Sequence, residues 1–134
     1  MNEPTFLYVE DDVMSRKVMQ TLITRVLNYQ NMVIFEDSSN FMERVYALEC
    51  VPDVIFLDVQ IHPYNGYEML QMLRDDPEFY DTIIIAMTAN VMSNDVEKLQ
   101  QAGFSGLIGK PVMKDIFPEL VEKILQGQSI WYVP

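Results

Sequence analysis

The sequence Val-Ile-Phe-Leu-Asp at Val54–Asp58 decides the predicted fold of this chain. Four apolar residues, with β-branched and aromatic side chains among them, run directly into one carboxylate. This pattern is typical of a strand that is buried on both faces. Turn-forming residues follow, including Pro63, Asn65 and Gly66. We therefore expect the strand to end at Asp58 and to present this carboxylate at the carboxyl edge of a sheet, where open α/β sheets bind ligands.

The alternation of apolar strands and amphipathic helices extends over the rest of the chain. Five βα repeats predict a parallel sheet with helices on both faces, in the class of flavodoxin-like α/β folds. The expected sheet has five strands in the order 2-1-3-4-5, and five helices cover it. We expect a single domain over residues 1–134, with a core at about 5–126 and a short tail at 127–134. The predicted strands are 5–9, 32–35, 54–58, 83–87 and 105–108, and the predicted helices are 13–27, 40–48, 66–73, 93–101 and 115–125.

Several helix ends carry specific signals. Asp12 is a candidate N-cap for the first helix, and the Asp-Ser-Ser sequence at 37–39 is a candidate cap for the second. Gly103 is expected to end the fourth helix, because glycine adopts the left-handed conformation that follows many helices. Pro118 fits only the first turn of the last helix, where its missing N–H is not needed.

Charge and composition exclude several classes of function. The chain has 134 residues and a formal net charge of −11 at pH 7, which disfavours binding to nucleic acid or to an anionic membrane surface. No apolar run approaches the length of a membrane span, and the first residues do not resemble a signal peptide. Cys50 is the one cysteine, so no internal disulfide can form. We expect a cytoplasmic protein that is a monomer or a weak dimer.

Charged and polar residues follow the predicted strands in a suggestive arrangement. In the order 2-1-3-4-5 the first and third strands are neighbours, so Glu10, Asp11 and Asp58 should meet at one edge. Three carboxylates at one point favour a bound cation, and Mg²⁺ prefers such oxygen ligands. Thr88 and Lys110 follow the next two strands and would add a hydroxyl and an ammonium group. This set of groups suits phosphoryl transfer to an aspartate.

Four short motifs lie in order along the chain, each at the end of a predicted strand. They are Val-Glu-Asp-Asp at 9–12, Leu-Asp at 57–58 with Asn-Gly at 65–66, Met-Thr-Ala at 87–89, and Gly-Lys-Pro at 109–111. With these motifs the chain resembles the receiver domain of two-component response regulators, from Phe6 to Leu125. Each motif alone is weak, but the intervals between Asp58, Thr88 and Lys110 make the combination specific.

The resemblance implies a function and a set of roles. Asp58 would accept a phosphoryl group from a histidine kinase or a histidine phosphotransfer protein, and Thr88 and Lys110 would bind the phosphoryl oxygens. Glu10, Asp11, Asp58 and the main-chain carbonyl of Gln60 would bind Mg²⁺. The Lys110–Pro111 peptide bond is expected to be cis. The chain would then be a signalling module rather than an enzyme, and it would act on an unknown downstream protein by contact or by onward phosphotransfer.

Three positions depart from the family pattern. His62 stands where a proline is usual, with Pro63 one residue later, so the loop after Asp58 is expected to take a different path. Leu107 stands where the family has an aromatic switch residue. We therefore expect output through residues 89–93 and the following helix, with Leu107 as a passive filler. Glu10 precedes Asp11 in the acidic pair, a variant in which the glutamate could act through water.

Three other functions fit these residues less well. A phosphatase of the haloacid dehalogenase kind needs a second aspartate two residues after the nucleophile, and Gln60 occupies that position. A flavodoxin would need a phosphate-binding loop, and the acidic residues 10–12 would repel a phosphate. A degenerate receiver that acts only as a binding scaffold is favoured by Leu107, but the intact Asp58, Thr88 and Lys110 oppose it.

Overall fold

The computed structural model describes residues 3–89, 91 and 93–134, without the side chains of residues 93 and 94. Within these residues the chain alternates between strands and helices in the predicted order. A π-helical segment, Leu22–Val26, continues the first helix, and a 3₁₀ turn, Pro77–Phe79, precedes the fourth strand. The strands are β1 Phe6–Val9, β2 Met32–Phe35, β3 Val54–Asp58, β4 Ile83–Thr88, β5 Gly106–Gly109 and β6 Trp131–Tyr132; the helices are α1 Val13–Thr21, α2 Phe41–Tyr46, α3 Gly66–Arg74, α4 Ser93–Ala102 and α5 Phe117–Leu125.

One parallel sheet joins all of these strands in the order β2-β1-β3-β4-β5-β6. The predicted flavodoxin-like fold and the order 2-1-3-4-5 are confirmed. Val9 pairs with Leu57, and Asp58 pairs with Met87. The carboxyl ends of β1, β3 and β4 therefore lie side by side at one edge of the sheet.

The sheet contains one short strand more than the five that the sequence predicts. Trp131–Tyr132 lies in the predicted tail, yet it adds a sixth strand parallel to β5, with Leu107 paired to Trp131. The Leu107 N–H donates a hydrogen bond to the Ile130 carbonyl at 2.7 Å. The physical reason is the sequence Ile-Trp-Tyr-Val at 130–133, whose β-branched and aromatic residues favour a strand beside an open sheet edge.

The two faces of the sheet bury two separate apolar clusters. The α3-side cluster includes Val9, Leu57 and Leu107 and is covered by α2, α3 and α4. The α1-side cluster includes Tyr8 and Phe56 and is covered by α1, the π-helical segment and α5. Alternate residues of each strand therefore contribute to opposite clusters, as expected for strands buried on both faces.

The helix ends agree with the sequence in three cases and differ in one. The Asp12 carboxylate caps α1 by accepting from the Ser15 N–H at 2.8 Å, Gly103 follows α4 at φ 109°, and Pro118 lies in the first turn of α5. The predicted cap at residues 37–39 was wrong. The helix α2 begins after Asn40, which is left-handed at φ 49°, while Asp37 is occupied locally by hydrogen bonds from the Ser39 N–H and hydroxyl.

None of the helices in the described part of the chain combines the length and the apolar character that crossing a membrane requires.

Candidate functional site

Glu10 forms the buried floor of the site at the end of β1. Its side chain is fully buried, and its Oε1 accepts a hydrogen bond from the Tyr8 hydroxyl at 2.7 Å and another from the Lys110 ammonium group. Its Oε2 accepts from the Asp12 N–H at 3.2 Å. Burial would raise the pKa of Glu10, but the hydrogen bonds with Lys110, Asp58 and Tyr8 outweigh it and hold that pKa below its usual range. Glu10 is therefore a fixed negative charge beneath the site.

Asp58 lies beside Glu10 at the end of β3 and is 5% exposed. The Gln60 N–H donates to Asp58 Oδ1 at 3.2 Å, and Lys110 Nζ lies 3.7 Å from Asp58 Oδ2. Burial, together with the hydrogen bond and the negative charge of Glu10, raises the pKa of Asp58 to about 7. Ionising both carboxylates therefore costs free energy because their charges repel each other, and a bound cation would reduce this cost.

Asp11 completes a group of three carboxylates. One carboxylate oxygen from each of Glu10, Asp11 and Asp58 can be chosen so that all three lie within 4.8 Å of one another. Asp11 is exposed while the other two are buried, so the group opens to solvent on one side. Oxygen ligands with this spacing and a path to solvent fit a divalent cation that keeps some of its water.

Thr88 and Lys110 come from the neighbouring strands, as the sequence predicts. Thr88 ends β4 and is 5% exposed, and its carbonyl accepts from the Lys110 N–H at 2.8 Å. A cavity of about 170 Å³ beside this edge is lined by Gln60, Thr88, Tyr67 and Lys98, among others. The Lys110–Pro111 peptide bond is cis, as predicted, and His62–Pro63 is also cis.

Gly66 joins the start of α3 directly to the end of β3. Its N–H donates to the Val59 carbonyl at 3.0 Å. A methyl group at Gly66 would lie 2.8 Å from Val59 Cα and 3.0 Å from the Asp58 carbonyl oxygen, which is too close for any side chain. A capping box between Asn65 and Glu68 fixes the first turn of this helix. The backbone of Asp58 is therefore held against α3 without a side chain between them.

Sequence reasoning missed two aromatic residues near the site. Tyr8 holds Glu10 from inside the α1-side cluster. Trp131 lies beside the fully buried Leu107, and both contribute to the α3-side cluster. The apolar run at 130–133 was the signal that could have located Trp131. The predicted output loop at 89–93 includes residues 90 and 92, which lie outside the described residues, so that prediction stays open.

Comparisons with known proteins agree with this geometry. A family model, the response regulator receiver domain, matches residues 6–124. The polar-differentiation response regulator DivK of Brucella anthropi is 31% identical over 120 residues, which cover 89% of this chain and 94% of that protein. DivK of Brucella ovis is 30% identical over 119 residues, with the same coverage.

Solved structures show the same fold at lower identity. The chemotaxis response regulator CheY4 of Vibrio cholerae matches with a TM-score of 0.79 and 16% identity, covering 92% of this chain and 99% of that chain. The receiver domain of the sensor histidine kinase PA1611 of Pseudomonas aeruginosa matches with a TM-score of 0.76 and 23% identity, covering 91% of this chain and 97% of that chain. That structure is described with a magnesium ion coordinated in its active site cleft.

The fold, the acidic group and the family match define a signalling module of two-component systems. This chain belongs to the response regulator receiver domain family. Its relatives and structural neighbours include regulators of the DivK and CheY type.

Proposed function

We propose that this chain is a phosphoacceptor receiver that takes a phosphoryl group onto Asp58 from a histidine kinase or a histidine phosphotransfer protein. The observation that carries the proposal is the set of contacts around the Asp58 carboxylate. Lys110 approaches it from one side, the Gln60 N–H from another, and Glu10 lies beneath it. These groups leave a nucleophilic oxygen beside positive charge and hydrogen-bond donors, which is what transfer of a phosphoryl group requires.

The proposed reaction is an in-line displacement at phosphorus. A bond forms between an Asp58 carboxylate oxygen and phosphorus while the bond from phosphorus to the donor's imidazole nitrogen breaks, and that nitrogen keeps the electron pair. The product is an acyl phosphate on Asp58. The Lys110 ammonium group and the Thr88 hydroxyl would donate hydrogen bonds to the transferred oxygens, and Lys110 already reaches the carboxylate in this structure.

We propose Mg²⁺ as the cofactor, held by Glu10, Asp11, Asp58 and the Gln60 carbonyl. The three carboxylates within 4.8 Å of one another support this assignment. When bound, Mg²⁺ supplies positive charge to the transferring oxygens. The residues of the chain do the rest: Tyr8 and Lys110 fix the Glu10 carboxylate, and the Gln60 N–H orients the Asp58 carboxylate.

The remaining expectations follow from the same function. Residues 1–134 would act as one cytoplasmic domain, a monomer or a weak dimer, without enzyme activity beyond its own phosphorylation and slow dephosphorylation. Its partners would be the phosphoryl donor and a downstream protein. The net charge of −11 supports the absence of nucleic acid and anionic membranes from this set.

Intact-mass measurement after incubation with acetyl phosphate and Mg²⁺ tests the proposal. We expect the wild-type chain to gain one phosphoryl group, which Asp58→Ala should not gain. The matched control is Asp81→Ala, which removes an exposed carboxylate elsewhere and should label like the wild type. A wild-type chain that stays unmodified, or an Asp58→Ala chain that is still labelled, would contradict the proposal. The first of these results would favour the binding scaffold as the function.

Magnesium titration of the metal-free protein by calorimetry tests the ligand set. Asp11→Asn should weaken Mg²⁺ binding by at least about tenfold, because it removes one of three charged oxygen ligands. The matched control is Asp12→Asn, which makes the same change of charge one residue away and keeps a good N-cap for α1. Equal losses in the two variants would show that net charge, rather than ligation by Asp11, governs the affinity.

A further inference from the structure

The edge of β5 contains two glycines that make room for another chain. A methyl group at Gly106 would lie 2.5 Å from the Ile130 carbonyl oxygen and 3.3 Å from the Ile130 nitrogen. A methyl group at Gly109 would lie 2.7 Å from Pro134 Cδ and 3.3 Å from the Tyr132 carbonyl oxygen. Distances below about 3 Å are not tolerated between such atoms, so glycine at position 106 allows the Ile130 backbone to approach this closely, and glycine at position 109 leaves room for the Pro134 ring. The two glycines lie on opposite faces of β5, since a methyl group at Gly106 would meet Ile85 of the α1-side cluster and one at Gly109 would meet Val91 of the α3-side cluster. The open strip along the edge of β5 that they leave, one on each face, is called the groove below.

Residues 129–134, hereafter the β6 segment, occupy this groove as an extended peptide. The Ile130 carbonyl accepts from the Leu107 N–H at 2.7 Å, and the segment pairs with β5 in parallel register. Its side chains divide between the two faces of the sheet. Trp131 packs on the α3-side cluster, while Ile130 and Tyr132 pack on the α1-side cluster. Main-chain pairing with alternating side-chain contacts is the way in which a sheet edge binds a peptide strand.

The groove ends next to the phosphoacceptor site. Gly109 directly precedes Lys110, whose N–H bonds to the Thr88 carbonyl and whose ammonium group lies 3.7 Å from Asp58. Val91 belongs to the connection that follows Thr88, and its Cγ2 atom would lie 3.4 Å from a methyl group at Gly109. Val91 packs on the same α3-side cluster as Trp131. The far end of the β6 segment and the chain that leaves Thr88 therefore share one small region.

We propose that the edge of β5 is a binding groove for an extended peptide, that the β6 segment is its occupant in the unmodified protein, and that phosphorylation of Asp58 loosens this segment. The last part rests on the function proposed above. A phosphoryl group on Asp58 draws the Thr88 hydroxyl and Lys110 toward its oxygens. This movement pulls Val91 away from the α3-side cluster and shifts Gly109 beneath Pro134. The segment then loses part of its apolar contact at one end.

The linkage must act in both directions, because a coupling free energy between two sites is reciprocal. If modification at Asp58 loosens the β6 segment, then loosening the segment favours modification. Gly106→Ala is the suitable variant for this test. Its added methyl group collides with Ile130 of the β6 segment, while Gly106 itself lies three residues before Gly109, the neighbour of Lys110. We expect this variant to bind beryllofluoride, which takes the place of a phosphoryl group, about fivefold more tightly or better.

Two signals in the intact 134-residue chain report on the segment. Trp131 is the only tryptophan of the sequence, so its fluorescence and acrylamide quenching follow the segment alone. Exchange of the Leu107 amide hydrogen follows the pairing, because this N–H donates to Ile130. We expect beryllofluoride with Mg²⁺ to increase quenching and to speed Leu107 exchange in the wild type. In Gly106→Ala both should already be raised before any addition.

A third measurement separates a peptide groove from simple fraying. A fluorescent peptide with the sequence of residues 129–134 should bind the full chain more tightly when beryllofluoride and Mg²⁺ are present, and it should not bind Gly106→Ala. As a variant that leaves the groove itself intact, Tyr132→Ala should also raise Trp131 quenching, since Tyr132 packs on the α1-side cluster. The matched control Tyr80→Ala removes a tyrosine that is 83% exposed and should change neither signal.

The outcomes separate this inference from the function on which it rests. Equal Leu107 exchange in unmodified wild type and Gly106→Ala would overturn the groove. If acetyl phosphate labels Asp58 while Trp131 quenching and Leu107 exchange stay unchanged, the linkage is overturned and the proposed function stands. If Asp58 is never labelled, the proposed function fails, and the groove is still tested by Gly106→Ala in the unmodified protein.

Discussion

Lys110→Met is expected to slow the labelling of Asp58 by acetyl phosphate by about 10²–10³-fold, the usual cost of removing one preorganised donor from a developing charge. The Lys110 ammonium group bonds to Glu10 and lies 3.7 Å from Asp58 Oδ2. Within the described residues it is the one cation in a salt bridge with either carboxylate. Methionine keeps the length and the apolar stem of lysine, so this substitution tests the charge. The initial rate of mass gain at a fixed acetyl phosphate concentration is the measurement.

The same substitution is expected to lower the free energy of unfolding of the metal-free protein by about 3 kcal/mol near neutral pH, because it leaves buried carboxylates without their cation. Urea denaturation in EDTA measures this loss. The control is Lys123→Met, which removes an exposed lysine from its pairing with Glu119 on α5 and should change stability by less than about 0.5 kcal/mol. A Lys110→Met protein with wild-type stability and wild-type labelling would show that Lys110 is not part of the site.

The metal-free wild type is expected to lose about 3 kcal/mol of stability between about pH 5 and about pH 8. Asp58 binds its proton more tightly in the folded chain than in the unfolded chain, because burial and Glu10 raise its pKa from 3.8 to about 7. The folded state is therefore favoured at low pH, and the free energy of unfolding falls as the pH rises through this interval. Two of the three units of this rise lie above about pH 5, at about 1.4 kcal/mol each. Glu10 has the opposite sign, but its pKa lies below 4.5, outside the interval.

Asp58→Asn removes the titrating group and should flatten this pH dependence, with a gain in stability at the upper end of the interval. Mg²⁺ should act in the same direction on the wild type, since a bound cation favours the ionised carboxylate. Urea denaturation at several pH values, in EDTA and then in Mg²⁺, measures both effects. Asp81→Asn, at an exposed position, should keep the wild-type slope. A slope that survives in Asp58→Asn would assign the pH dependence to another group.

Much of the site could be predicted from the sequence because parallel strands simplify the geometry. The strands of successive βα repeats all end at the same edge of the sheet, so a residue that directly follows an apolar run is expected at that edge. This reasoning located Glu10, Asp11 and Asp58 in one group, and it placed Thr88 and Lys110 on the neighbouring strands. It needed only the strand order, which the number and alternation of the elements supplied.

What the sequence could not supply depends on side-chain direction and on competition among neighbours. The hydrogen bond from Tyr8 to Glu10 joins residues two apart on β1, and nothing in the spacing distinguishes it from a tyrosine that is simply buried. The segment at 37–39 looked like a helix cap because it contains suitable side chains, but Asp37 bonds within its own turn instead. In the pairing of β6 with β5, the Ile130 backbone lies close against Gly106, and this contact appears only when the two backbones are seen together.

The contact between Gly66 and the end of β3 gives the site one rigid wall and one yielding wall. On the α3 side, backbone meets backbone at Asp58 and Val59, so there is no side chain that could change its rotamer and absorb a displacement. Toward the neighbouring strands, the chains that leave β4 and β5 meet the site through the long side chain of Lys110 and the hydroxyl of Thr88. A displacement at Asp58 is therefore expected to move the chains that leave β4 and β5 rather than α3. The mechanical compliance of the domain is directional, and it points from the acceptor toward β5 and away from α3.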